Sequence, residues 1–224
     1  MMRTMALETL QIETGANPTD TVIVLHGLGA DGNDFVPFAE EVDLSQVGPV
    51  RWIFPHAPTM PVTINGGYVM RAWYDILGAN LQQREDETGL RRSMAEVRAL
   101  LDAERARGVA SRRIVLAGFS QGCAMTLMTG LRYPERLGGL LGMSGYLPLA
   151  AMLTAERSQA NADVPVFLAH GSQDPVVPLA AGVATRDALR AGGYPVEWHE
   201  YPMPHSVCME EIADLQRWLV RVLG

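Results

Sequence analysis

The stretch Arg113-Ile114-Val115-Leu116-Ala117-Gly118-Phe119-Ser120-Gln121-Gly122-Cys123-Ala124-Met125 decides how the rest of the chain is to be understood. Its first five residues form a short apolar run suited to a buried strand. Residues 123–131 form an apolar helix-forming run that Tyr133-Pro134 stops. Between the two, Gly118-Phe119-Ser120-Gln121-Gly122 spells Gly-x-Ser-x-Gly, a sharp strand-to-helix turn that holds an exposed serine in a strained conformation. Glycines are needed on both sides because neighbouring backbone comes within van der Waals distance. The pattern is short enough to arise by chance, so its strand–turn–helix setting carries the weight. Ser120 is the candidate nucleophile.

Similar apolar runs occur at residues 21–25, 50–54, 137–143, 164–169 and 196–199. Continuous apolar strands separated by helical segments predict an α/β fold with a mostly parallel central sheet and helices on both faces. No repeat or linker interrupts the chain, so a single domain over residues 1–224 is expected. Two helices show an alternating +4, +3 stripe: Leu90, Met94, Val97 and Leu101, and Cys208, Ile212, Leu215, Leu219 and Val222. The first begins upstream of Ser93, leaving that serine inside the helix. Residues 55–86 carry three prolines and Gly66-Gly67 without a long periodic pattern, which marks a candidate substrate-binding excursion.

A serine hydroxyl needs a base, and the base needs an orienting carboxylate. His170 ends a strand, and His199 lies inside one and reads as structural. His205 follows Pro202-Met203-Pro204 in the loop before the last helix and is the candidate base. Its protonation would lower activity at acid pH. Asp174 sits just beyond the strand at 164–169, at the carboxyl edge where open sheets place their sites; Asp163 and Asp187 read as solvated charges. The oxyanion donors expected are the backbone N–H groups of Gln121, at a helix start, and Leu28, in His26-Gly27-Leu28-Gly29. Since only main-chain atoms are involved, side-chain substitutions at these two positions are expected to be weak tests.

Composition removes other chemistries. The net charge of −7 comes without a basic stripe, against nucleic acid and anionic membranes as partners. All eighteen basic residues are Arg, so Schiff-base lysines and Ser–Lys dyads are excluded. Cys123 and Cys208 form neither a disulfide framework nor a metal-ligand spacing; no metal and no cofactor are expected, and a reducing cytoplasm is. No apolar run approaches the roughly 20 residues needed to cross a bilayer, and residues 1–14 do not read as a signal peptide. Gly27-Leu28-Gly29-Ala30-Asp31-Gly32 also fits a dinucleotide-binding Gly-x-Gly-x-x-Gly. The next strand, however, runs into Pro55-His56 where that fingerprint wants a carboxylate.

With these residues in place, the chain resembles the carboxylesterase and acyl-protein thioesterase family of α/β-hydrolases. The shared patterns are His26-Gly27-Leu28-Gly29 with Asp31-Gly32, Pro55-His56-Ala57-Pro58 continuing to Pro61-Val62-Thr63, Trp73-Tyr74-Asp75, residues 118–122, Asp174-Pro175-Val176-Val177-Pro178 and His205-Ser206-Val207. Their wording is nearer the bacterial carboxylesterases than the eukaryotic thioesterases. The resemblance implies an α/β-hydrolase fold and a Ser120–His205–Asp174 triad with Leu28 and Gln121 as oxyanion donors. It also implies hydrolysis of esters, or thioesters, of short to medium acyl chains. It places Trp73, Ile64 and Met70 of the 55–86 excursion, with Val176 and Val177, at the acyl site, although an anchoring role for Trp73 stands equally open. It permits a homodimer through an apolar rim on that excursion. Cys123 occupies a position where many members have glycine; it is expected to pack as a buried hydrophobe, with oxidation or alkylation there a way to block the site. Cys208 is expected in the core. A non-catalytic binding protein on the same fold is the alternative from another class.

Overall fold

The computed structural model describes residues 7–78 and 84–224, so residues 79–83 of the 55–86 excursion and residues 1–6 of the N-terminal stretch lie outside it. Nine strands are present among the described residues: β1 (Thr9–Glu13), β2 (Asp20–Leu25), β3 (Val50–Pro55), β4 (Thr59–Val62), β5 (Tyr68–Arg71), β6 (Ile114–Phe119), β7 (Gly139–Met143), β8 (Val166–Gly171) and β9 (Val196–Tyr201). Seven form one sheet in the order β1-β3-β2-β6-β7-β8-β9, parallel throughout except for β1, which pairs antiparallel with β3 at the edge. The helices are α1 (Phe38–Glu41), α2 (Glu87–Ala106), α3 (Gln121–Gly130), α4 (Leu153–Glu156), α5 (Leu179–Ala191) and α6 (Met209–Leu223).

Strand side chains alternate between the two faces, and that period of two divides the core into two clusters. Ile23, Leu25, Ile114, Leu116, Leu140, Val166 and Leu168 pack on one side with α2, α3 and Leu189 of α5. Val22, Val24, Val115, Ala117, Leu141, Phe167 and Ala169 pack on the other with Phe38 of α1 and the Ile212, Leu215 and Leu219 stripe of α6. Both faces are therefore buried, which is why these strands read as unbroken apolar runs.

Some boundaries differ from expectation. β1 was not anticipated: five residues alternating at a half-exposed edge give too weak a signal. Helix α2 begins upstream of Ser93 as expected, at Glu87, where the Asp86 side chain accepts the Gly89 N–H, and Ser93 is buried inside it, donating to the Trp73 carbonyl. Cys208 packs against the α6 side of the core but is only partly buried. It is the half-buried N-cap residue of α6, because the helix begins one residue later. The 55–86 excursion contains an antiparallel hairpin, β4 with β5, whose Pro61 is tolerated because the hairpin is a two-stranded sheet with no central strand.

The strand order reverses between β2 and β6: β2 connects onward to β3 on one side, and β6 to β7 on the other. Ligands in open α/β sheets bind at the carboxyl ends of such a switch point. Leu25 is in register with Gly118 there, so the loop after β2 and the turn after β6 emerge side by side.

Candidate active site

Ser120 follows β6 with φ 57° and ψ −117°, a conformation sterically costly for any residue with a β-carbon. The turn is held by tight backbone packing. A β-carbon on Gly118 would overlap the Gly122 backbone, and one on Gly122 would overlap the Leu25 carbonyl. The Ser120 N–H donates to the Met143 carbonyl at 2.9 Å, tying the turn to β7.

Adjacent strands β8 and β9 deliver two other residues to the same place. The loops after them are joined where Ser172 N–H donates to Tyr201 (2.8 Å) and Gln173 N–H to Met203 (3.1 Å). Asp174 Oδ1 accepts the Val176 and Val177 N–H groups at 2.8 and 2.9 Å, which turns Oδ2 toward His205. His205 Nδ1 lies 2.6 Å from that Oδ2, and its Nε2 lies 2.9 Å from Ser120 Oγ. A carboxylate only accepts, so the imidazole proton belongs on Nδ1 and leaves Nε2 free to take the serine proton. The Phe119 ring packs against the imidazole with centroids 4.7 Å apart.

The other histidines are held elsewhere. His170 donates from Nε2 to the Val177 carbonyl (2.9 Å) and lies 3.6 Å from Asp174 Oδ2, so it braces the acid's loop. His199 pairs with Glu197 at 3.0 Å and Asp214 at 3.5 Å.

Gln121 is the first residue of α3, so its N–H is one of the unpaired donors that every helix start presents, and Leu28 lies beside Ser120 in the adjoining loop. That loop is braced by His26, which the sequence offered only as part of a motif. Its buried Nε2 accepts the Ala57 N–H at 3.0 Å, so the proton sits on Nδ1, facing the Gly27 carbonyl at 2.7 Å. Burial lowers the His26 pKa and keeps the ring neutral.

The Gln121 side chain has a structural role of its own, separate from its main-chain N–H. It is buried, its Oε1 accepts the Trp73 N–H at 2.9 Å, and its Nε2 donates to the Tyr74 carbonyl at 2.7 Å. Trp73 is fully buried, donates from Nε1 to the His26 carbonyl at 2.9 Å and lines neither cavity beside Ser120; the fold uses it as an anchor. Met70 likewise lines neither, while Ile64, Val176 and Val177 line one of about 400 Å³ that opens at Ser120. A second cavity of about 440 Å³ also opens at Ser120, lined by His205 and Phe119.

Cys123 is fully buried, its thiol pushed up to about 12 by burial, and it fills space left by Gly142 and Gly145. It is therefore a packing residue and not an accessible means of blocking the site. The Gly27–Gly32 loop does not open a helix. It leads into a four-residue 3₁₀ turn, Gly32–Phe35, capped by Asp31, which removes the helix N-terminus that a bound pyrophosphate needs.

A strained serine at a switch point, in line with a histidine and a carboxylate, defines an α/β-hydrolase. Residues 7–223 match the phospholipase/carboxylesterase family, and the chain belongs to that family. It is a hydrolase acting on ester bonds. Acyl-protein thioesterase 1 of Schizosaccharomyces pombe is 43% identical over 224 residues, covering 99% of each chain. The protein of the same name from Yarrowia lipolytica is 40% identical over 215 residues, covering 94% of this chain and 95% of its own. Among solved structures, acyl-protein thioesterase 2 of Zea mays superposes with a TM-score of 0.86 at 31% identity, covering 97% and 99% of the two chains. The carboxylesterase of Bacillus cereus, at 22% identity and TM-score 0.76 over 96% and 94%, shares the fold. No helix among the described residues is long and apolar enough to cross a membrane.

Proposed function

We propose that the protein hydrolyses carboxylic esters and thioesters of short to medium acyl chains through an acyl-enzyme on Ser120, with His205 as general base and acid and Asp174 orienting it. The observation that carries this reading is the hydrogen-bonded line from Ser120 Oγ to His205 Nε2 at 2.9 Å and from Nδ1 to Asp174 at 2.6 Å. Ser120 attacks the carbonyl as Nε2 takes its proton, and the Leu28 and Gln121 N–H groups hold the oxyanion. The leaving oxygen or sulfur then takes that proton as its bond to carbon breaks. Water repeats the cycle in reverse and releases the acid. The acyl chain occupies the 400 Å³ cavity between the β4–β5 hairpin and the 175–178 loop, against Ile64, Val176 and Val177. The fungal relatives' names favour thioesters among the substrates.

Labelling by a fluorophosphonate, with p-nitrophenyl esters of two to twelve carbons and matched thioesters, tests the reading. Label and turnover should both vanish in Ser120→Ala; hydrolysis surviving there would refute it. The same reading includes a homodimer through the exposed Tyr68 and Val69 of the hairpin, checked by sedimentation of the wild type and Val69→Glu. It also includes residence in a reducing cytoplasm, in keeping with the two free thiols and checked by fractionation.

A further inference from the structure

The two cavities beside Ser120 share Leu28, Ser120 and Val176, but His205 and Phe119 line only the second. In the tetrahedral intermediate the oxyanion is held by two amides, and the leaving atom must lie within hydrogen-bond reach of His205 Nε2, its only proton source. The acyl and leaving groups are separate substituents of one tetrahedral carbon and leave Ser120 in different directions, so the cavity lined by His205 belongs to the leaving group. The walls there are aromatic: Phe35 and Phe38 meet edge to face at 5.1 Å, and Phe35 lies 6.0 Å from Phe119. Asp34 stands exposed on the rim, its Oδ2 held by the Asp31 N–H at 3.3 Å. Apart from His205, no basic side chain lines the cavity among the described residues.

We propose that this second cavity is a leaving-group site selecting alcohols and thiols with an apolar, aromatic-sized body that is neutral or cationic, and that Asp34 disfavours anionic ones. The inference rests on the triad reading given above. Phe35, Phe38 and Phe119 remove apolar surface of the leaving group from water. Asp34 attracts a positive substituent and repels a carboxylate or phosphate, with no cation opposite to offset it. Since Asp34 is exposed, its effect is modest and screened by salt.

Hexanoate esters of alkyl alcohols with matched acidity test this: methyl, 2-naphthylethyl, and phenethyl carrying para-trimethylammonium, no charge or para-carboxylate. The naphthylethyl ester should exceed methyl in kcat/KM, and Phe38→Ala should reduce that advantage without altering dependence on acyl length. The ammonium-to-carboxylate ratio should be about three- to twenty-fold at low salt, shrink at high salt, and collapse toward one in Asp34→Asn, which keeps the cap acceptor. That ratio needs no variant of the aromatic wall, so a Phe38→Ala protein that fails to fold does not remove the test. Ser120-dependent turnover indifferent to leaving-group size and charge would overturn the inference, as would a Phe38→Ala change confined to acyl length. Turnover surviving Ser120→Ala would instead refute the triad reading.

Discussion

Gly122 lies so close to Leu25 that a β-carbon on it would overlap the Leu25 carbonyl oxygen. This contact joins the start of α3 to the end of β2, and so joins the nucleophile's turn to the loop that carries Leu28. Gly122→Ala must push α3 off the sheet. We expect a loss of about 1–3 kcal/mol, as for overpacked cores, together with a fall in turnover larger than the fall in fluorophosphonate-accessible folded protein. Urea titration and ester kinetics on one preparation separate the two.

Gln121 holds the backbone of Trp73 and Tyr74 through its carboxamide. Gln121→Met keeps the volume and leaves a buried N–H and a buried carbonyl unpaired, at about 1–3 kcal/mol each before relaxation. Tyr74 lines the cavity proposed for the acyl chain, so kcat/KM should drop more for octanoyl than for acetyl esters. Equal losses across the series would count against this coupling.

Asp174 uses Oδ1 for two backbone N–H groups and Oδ2 for His205. Asp174→Asn must aim its amide NH₂ either at those donors or at Nδ1, and in the second case Nε2 carries the proton and cannot act as base. A fall in kcat of about 10⁴ is expected, with thermal stability little changed, as read by ester turnover and a melting curve.

Glu211, in the first turn of α6, is buried beside the Cys208 backbone with no side-chain partner for its carboxylate among the described residues, and burial pushes its pKa up to about 8. The folded protein therefore holds this proton between about pH 4.5 and 8 while the unfolded chain has lost it, so stability falls as pH rises through that window. Glu211→Gln should be more stable than wild type, by little at pH 4.5 and by on the order of a few kcal/mol at pH 8.5. Denaturant melts at the two pH values check the sign.

Cys123 is fully buried with its thiol pushed up to about 12, whereas Cys208 is half-buried at the start of α6. In the folded protein, iodoacetamide should modify Cys208 first and spare Cys123, with ester turnover retained. Peptide mapping after a timed pulse reports the order.

Besides β6, the parallel strands β2, β3, β7 and β8 were legible because burial on both faces makes each a largely apolar run, as in Val22-Ile23-Val24-Leu25 of β2. β1 and the β4–β5 hairpin were not, because Gln11, Glu13 and Pro61 are tolerated at exposed edges and interrupt any pattern.

Ser120, Asp174 and His205 were legible as candidates, since a strained turn requires Gly118 and Gly122 and the partners follow in a set chain order. What the sequence determined by itself was therefore local: which segments are buried strands, where the backbone must have no β-carbon, and which side-chain types the chemistry requires. Tertiary structure alone decided how residues far apart meet. It turned Trp73 from a candidate substrate contact into an anchor, gave the Gln121 and His26 side chains their bracing contacts, and set His205 on one side of Ser120 so that the two cavities are distinct. Hydrogen bonds and cavity walls are made between segments, and no local pattern encodes the distance between two segments.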